Sequence, residues 1–205
     1  MKCIAPSVIT YINTTEKRIA LTFDDSPDGY HKEIAQVLNE YNMTGTFFVI
    51  SGQINNNNQN DLVQMIKDGH QLANHGRTNS MHFLKNIDAL RHEIDDCEDK
   101  IVDLYKYAST LNPSRLYRPG CGLFGPSMLE MLTFKGYKLV LGTVYPHDPV
   151  VCIPQINYWY LTNHIGPGDI VIMHDRKWTP GALRMLMKWM VKNGYKSVTL
   201  DELLG

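Results

Sequence analysis

Ile19-Ala20-Leu21-Thr22-Phe23-Asp24-Asp25-Ser26-Pro27-Asp28-Gly29 is the stretch on which the interpretation of this chain turns. A β-branched and aromatic run followed by a Pro/Gly/Asp cluster predicts a buried strand ending in a tight turn. Two adjacent carboxylates, Asp24 and Asp25, stand at that strand end. Like charges so placed are costly unless a metal, an arginine or a shared proton compensates them. As plain turn formers they would need no such partner. The remaining strand ends decide between the two.

Six further short runs have strand character: residues 46–50, 71–73, 115–117, 138–141, 170–173 and 196–198. Between them apolar residues recur at helical spacing. Ile34, Val37, Leu38 and Tyr41 make one stripe. Ile87, Leu90, Ile94, Cys97, Ile101 and Leu104 make a second, and Leu183, Leu186, Met187 and Met190 a third. The methionines read as core filler. The Asn-rich residues 55–60 read as a polar loop ahead of a helix. Strand–helix alternation at this pitch predicts an α/β fold with a mainly parallel sheet. About seven strands in 205 residues predict a small or incomplete, distorted (β/α) barrel. No repeat or long linker divides the chain, so residues 1–205 read as a single domain.

The composition, 43% hydrophobic and 20% charged, is that of an ordinary globular protein. A formal net charge of -1 gives no electrostatic footprint for nucleic acid or an anionic membrane, and leaves a neutral polymer open as substrate. No stretch approaches the ~20 continuous apolar residues of a membrane span. Met1-Lys2-Cys3-Ile4-Ala5-Pro6-Ser7 lacks the apolar core and cleavage site of a signal peptide, so an intracellular location is expected over secretion. The cysteines Cys3, Cys97, Cys121 and Cys152 show neither CxxC nor a metal-knuckle pattern. Cys97 falls on the second apolar stripe and reads as core. Nothing demands disulfides, and a reducing compartment is compatible.

In such folds, active sites gather at the C-terminal ends of the strands. Asp24 and Asp25 follow the first strand. Asn74-His75 follows the third, with His82 seven residues on. Arg118-Pro119-Gly120-Cys121-Gly122 follows the fourth, Tyr145-Pro146-His147-Asp148-Pro149 the fifth, and His174-Asp175 the sixth. One carboxylate and two imidazoles can hold a zinc-like divalent metal with a position open for water or substrate. A second carboxylate beside it can take the proton of the water, and a separate imidazole can protonate a leaving group. This inventory suits metal-assisted hydrolysis of an amide or ester.

Taken together, these stretches resemble the polysaccharide deacetylases, the NodB-homology group or carbohydrate esterase family 4. The resemblance is carried by Thr22-Phe23-Asp24-Asp25-Ser26-Pro27, by residues 69–75 (GHQLANH), by Tyr117-Arg118-Pro119-Gly120-Cys121-Gly122, by residues 168–175 (GDIVIMHD) and by residues 194–204 (GYKSVTLDELL). It implies a distorted (β/α) barrel and removal of N-acetyl groups from a glycan containing N-acetylglucosamine, such as a chitin-like oligomer. Carried over by position, it implies Asp24 as general base, with Arg118 pairing with and positioning it. Asp25, His75 and His82 become the metal ligands. The backbone N–H of Cys121 becomes an oxyanion donor, and His174 the general acid, oriented by Asp148. The implied cofactor is a divalent metal, Zn2+ first, with Co2+, Ni2+ or Mn2+ as alternatives.

The chain also departs from the family pattern. The family places its two metal histidines four residues apart, whereas His75 and His82 are seven apart. Asn79 is the alternative third ligand, though an amide is a poorer zinc ligand than imidazole. Gly120-Cys121 stands where the family has Pro-Tyr, and Pro149 where a tryptophan follows the aspartate.

Outside these motifs, His31, His92 and His164 read as surface or helix-cap residues and His70 as structural. His147 reads as either a cleft or a turn residue. Asp175 is expected to hold a backbone amide or a neighbouring side chain, Trp178 to serve as a sugar platform or a rim residue, and Asp28 to cap a helix beginning near Tyr30. Two alternatives stand beside the glycan deacetylase. One is hydrolysis of a non-sugar amide such as a cyclic imide or ureide. The other is a glycan-binding protein that has lost catalysis.

Overall fold

The computed structural model describes residues 8–205; Cys3 and the N-terminal heptapeptide considered above lie outside them. Eight parallel strands form one sheet: β1 (Val8–Ile9), β2 (Arg18–Ser26), β3 (Thr46–Val49), β4 (Gln71–Asn74), β5 (Leu116–Tyr117), β6 (Lys138–Val140), β7 (Ile170–His174) and β8 (Lys196–Ser197). Their order is β1-β6-β5-β4-β3-β2-β7, with β8 added to β2. All seven expected strands are present, and β1 is an addition of two residues.

The sheet curls into a distorted barrel whose seam lies between β6 and β7. Val144, just past β6, forms a parallel bridge to Val171, and Tyr11 an antiparallel one to Asp169. Thr143 N–H donates to Ile170 O at 3.0 Å, and Ile172 N–H to Val144 O at 2.9 Å. Gly142 permits this approach, because a Cβ there would lie 2.5 Å from the carbonyl oxygen of Ile170.

Period-two alternation sorts each strand into an outward and an inward row. Ile19, Leu21, Phe23, Phe47, Val49, Leu72, Val171 and Met173 pack outward, in one core with the helices. Ala20, Phe48, Ala73, Leu116, Val140 and Ile170 share an interior core with Leu200 and Leu203. Those two leucines belong to α7 (Leu200–Leu204), which plugs the N-terminal end of the barrel. There Thr46 Oγ1 accepts from Leu200 N at 2.9 Å and Gln71 Oε1 from Asp201 N at 3.1 Å. Continued two residues at a time, the inward row ends at the opposite mouth in Thr22, Asp24, Arg118 and His174. The alternation that builds the interior therefore also aims the chemistry.

Six helices cover the outside: α1 (His31–Asn39), α2 (Gln59–Lys67), α3 (Ile87–Ala108), α4 (Pro126–Phe134), α5 (Pro154–His164) and α6 (Thr179–Asn193). The three apolar stripes fall on α1, α3 and α6, with Tyr41 just past the end of α1, and are buried apart from their ends at Tyr41 and Ile87. Cys97 is fully buried, and burial pushes its thiol up to about 12. Among the described residues no helix is long and apolar enough to cross a membrane.

Two local expectations are corrected. His31 is buried rather than at the surface, with Nδ1 3.5 Å from Asp175 Oδ2. Asp28 does not cap α1, whose N-terminus has no side-chain cap; its carboxylate instead accepts from Arg176. His92 and His164 are exposed, as expected. His70 is structural, accepting Gly45 N–H on Nδ1 at 3.2 Å.

Candidate active site

At the barrel mouth, a cleft is lined by Asp24, Asp25, His75, Arg118, Cys121 and His174. Asp24, on β2, is in register with His174 on the adjacent strand β7. Its Oδ1 accepts from Arg118 Nη1 at 2.6 Å. Arg118 is 1% exposed and every face of its guanidinium is occupied. It donates to Thr22 Oγ1 at 2.7 Å and to the carbonyls of Val140 and Leu141, each at 3.2 Å, and lies 4.0 Å over the Phe48 ring. A buried arginine held this way is a fixed positive charge that orients the Asp24 carboxylate.

The second pair is His174 and Asp148. Asp148 is fully buried. Its Oδ1 lies 2.9 Å from His174 Nδ1, and its Oδ2 accepts His174 N–H at 2.8 Å. One carboxylate thus fixes both ring and backbone, and leaves Nε2 for the cleft. Burial favours the neutral imidazole. The hydrogen bond to Asp148 and the charges of Asp24, Asp148 and Asp25 outweigh it and raise the pKa above 6.5. The shift favours the protonated imidazole.

The third group centres on Asp25, whose backbone takes the left-handed region, φ 64°. Its Oδ1 lies 3.5 Å from His75 Nε2. His75 Nδ1 donates to Arg118 O at 2.7 Å, which turns Nε2 toward Asp25. Burial pushes the Asp25 carboxyl up. The hydrogen bond from His75 and the charges of His75, His174 and Arg176 reverse this and hold it well below the usual carboxylate range.

His82 does not join this group, which corrects the expected ligand set. Gly120 N–H donates to its Nδ1 at 3.0 Å, and Tyr117 Oη lies 2.6 Å from the same atom. Its Nε2 pairs with Thr78 O at 3.1 Å. With Nδ1 accepting and Nε2 donating, no lone pair is left for a cation. The ring is packed beneath Gly76, φ 76°, where a Cβ would sit 2.9 Å from Cε1. The longer segment from His75 carries His82 into the wall rather than the cleft, and burial lowers its pKa to about 4. Among the described residues, no three His, Cys, Asp or Glu side chains are arranged to hold a metal ion. Asp25 and His75 alone do not fit a three-ligand divalent site. Asn79 lines the cleft, but offers only a neutral amide.

The cation on Asp25 is one that the motifs do not single out. Arg176 Nη2 is ion-paired with Asp25 Oδ2, and its Nη1 donates to Asp28 Oδ2 at 2.6 Å and to Asp175 O at 3.0 Å. It lines the cleft beside His174. The signal that could have found it is its position, the third of three consecutive polar residues, His174-Asp175-Arg176, that begin at the end of β7. Asp175 meets its expectation: fully buried, it accepts from Asp28 N at 2.7 Å, Tyr30 N at 2.8 Å and Ser26 Oγ at 3.2 Å. Cys121 is exposed, with φ 61°. His147 is a turn residue whose carbonyl accepts from Val150 and Val151, with its ring 4.3 Å from that of Tyr145. Trp178 is half-buried at the start of α6.

The family model described as "Polysaccharide deacetylase" matches residues 11–140. The peptidoglycan-N-acetylglucosamine deacetylase of Bacillus cereus is 29% identical over 204 residues, covering 94% of this chain and 91% of that protein. The peptidoglycan-N-acetylmuramic acid deacetylase PdaA of Bacillus subtilis is 28% identical over 198 residues, covering 94% and 73%. Among solved structures, peptidoglycan deacetylase PdaC from Bacillus subtilis matches with a TM-score of 0.82 at 25% identity, covering 94% and 92%. A CE4 family pseudoenzyme from Bacillus anthracis matches with a TM-score of 0.84 at 20% identity, covering 98% and 70%, a likeness of fold alone.

Proposed function

The chain belongs to the polysaccharide deacetylase family, and we propose that it hydrolyses the N-acetyl group of an N-acetylated glycan, with N-acetylglucosamine of peptidoglycan or of a chitin-like oligomer as the sugar. The observation that carries this is the pairing across the cleft of two preorganised groups, Asp24 on Arg118 and His174 on Asp148. Asp24 takes a proton from water as the water oxygen attacks the acetyl carbon. The carbonyl oxygen gains negative charge, and the role carried to the backbone N–H of Cys121 is to receive it. His174 Nε2 delivers its proton to the amide nitrogen as the C–N bond breaks, releasing acetate and a free amine.

The test is acetate release from chitooligosaccharides and peptidoglycan fragments, with cyclic imides and ureides in the same panel. Asp24→Asn keeps an acceptor for Arg118 but cannot take a proton, so kcat should fall roughly 10²–10⁴-fold while saccharide binding is retained. Wild-type turnover in Asp24→Asn would sink the mechanism, and turnover of imides alone would move the substrate class. That the described residues offer no third metal donor favours a second reading, a glycan-binding protein without turnover. Its signature is saccharide affinity with no acetate released.

A further inference from the structure

We propose that the guanidinium of Arg176 stands in place of the divalent metal, as the resident cation of the cleft and the group that meets the acetamide carbonyl oxygen. This rests on the deacetylase reading above. Three observations carry it. First, among the described residues a third donor for a metal is not there: His82 has both ring nitrogens bound to protein groups, and Asp25 and His75 remain. Second, Arg176 is anchored rather than loosely placed. Its planar fork spans Asp25, Asp28 and the Asp175 carbonyl. That carbonyl is itself fixed, because the Asp175 carboxylate is buried and bound to Ser26, Asp28 and Tyr30. Third, both carboxylates of the pair already have a cationic partner, Asp24 in Arg118 and Asp25 in Arg176, which Asp28 shares. A divalent ion at Asp25 would meet a guanidinium already seated on that carboxylate, and the two cations repel.

The chemistry needs no further reactant. As the new C–O bond forms, Asp24 receives the proton of the water, and the developing oxyanion lies against an Arg176 N–H. His174 then protonates the nitrogen and the C–N bond breaks. Arginine acts here through charge and fixed donor geometry.

Zinc uptake by equilibrium dialysis and acetate release are measured on the wild-type chain, Asp25→Ala, Arg176→Ala, Arg176→Lys and Arg176→Ala/Asp25→Ala. The wild-type chain should hold far less than one equivalent of zinc and keep its turnover in dipicolinate. Arg176→Ala should lower kcat roughly 10²-fold, with Arg176→Lys recovering part of the loss. It should also bind zinc roughly tenfold more tightly than wild type, since a competing cation is gone, and lose that gain when Asp25 is removed as well. One equivalent of zinc in the wild-type chain that Asp25→Ala releases would overturn the proposal. So would zinc affinity unchanged by Arg176→Ala, or wild-type kcat in that variant. If no form releases acetate, the deacetylase reading fails, while the zinc comparison still decides whether Arg176 holds the metal's place.

Discussion

At the scale of single residues, the site is governed by which side chain neutralises which. Asp148 is the sharpest case, because one carboxylate serves both the ring and the backbone of His174. Replacing it with asparagine keeps a similar shape but removes the charge that outweighs burial, so the His174 pKa should fall. The wild-type imidazole stays protonated above its ordinary range. The alkaline limb of kcat/KM should therefore lie above pH 6.5 and move to lower pH in Asp148→Asn, with neutral-pH turnover falling roughly 10²–10⁴-fold. A pH–rate profile with the same alkaline limb in both forms would remove His174 from the general-acid role. Arg118→Ala is a poorer probe. It leaves Asp24 buried without its counter-charge, a change that costs about 3–5 kcal/mol in its own right. Residue types at strand ends were legible in the sequence, as Asp24, His75, Arg118 and His174 show. Whether a side chain arrives with a free lone pair was not. His82 depends on the path of the six residues that separate it from His75 and on Tyr117 and Gly120, partners remote in sequence.

At the scale of elements, legibility followed the strength of the periodic pattern. The stripe from Ile87 to Leu104 is long and regular, and the structure has a single helix, α3, over Ile87–Ala108. The seven strand candidates were marked by apolar runs bounded by turn residues. β1 escaped because two residues carry no period and are paired only through the distant β6. α5 escaped because its burial is sparse, only Asn157 and Leu161 being buried, so it shows no stripe. The seam at Gly142–Val144 was illegible for the same reason: it is built from isolated bridges rather than a strand. The start of α3 gives a prediction that belongs to this scale. Asn86 accepts from Asp88 N at 2.9 Å and from Ala89 N at 3.5 Å, satisfying amides that a helix start leaves open. Asn86→Ala should cost about 1 kcal/mol, a fall in Tm of roughly 2–4 °C for a chain of this size. Asn86→Asp should keep the stability, since aspartate caps equally well and opposes the helix dipole. Equal Tm values for the alanine and aspartate variants would show that the cap contributes nothing.

At the scale of the whole molecule, histidines with opposite shifts should give stability a maximum in pH. His70 and His82 are neutral in the fold because burial lowers each to about 4 from 6.5. In the unfolded chain both take up protons as pH drops below 6.5, so between pH 6.5 and about 4 the unfolded state binds more protons and stability falls with pH. A full shift of this size is on the order of 3 kcal/mol for each residue. His174 works in the other direction. Its folded pKa is raised, so its contribution is complete below 6.5 and is lost as pH rises through the folded value. Asp25, held low, adds to the acid side only below its ordinary value of 3.8. Chemical denaturation measured across pH 4.5–8 should therefore show greatest stability near pH 6.5, with about two protons taken up on unfolding along the acid flank. Asp148→Asn should flatten the alkaline flank and leave the acid flank in place. His70→Gln should lower the acid slope by about one proton. A stability that climbs steadily to pH 8 would mean that the His174 pKa is not raised in the fold, and an acid slope untouched by His70→Gln would mean that the buried His70 imidazole is protonated there.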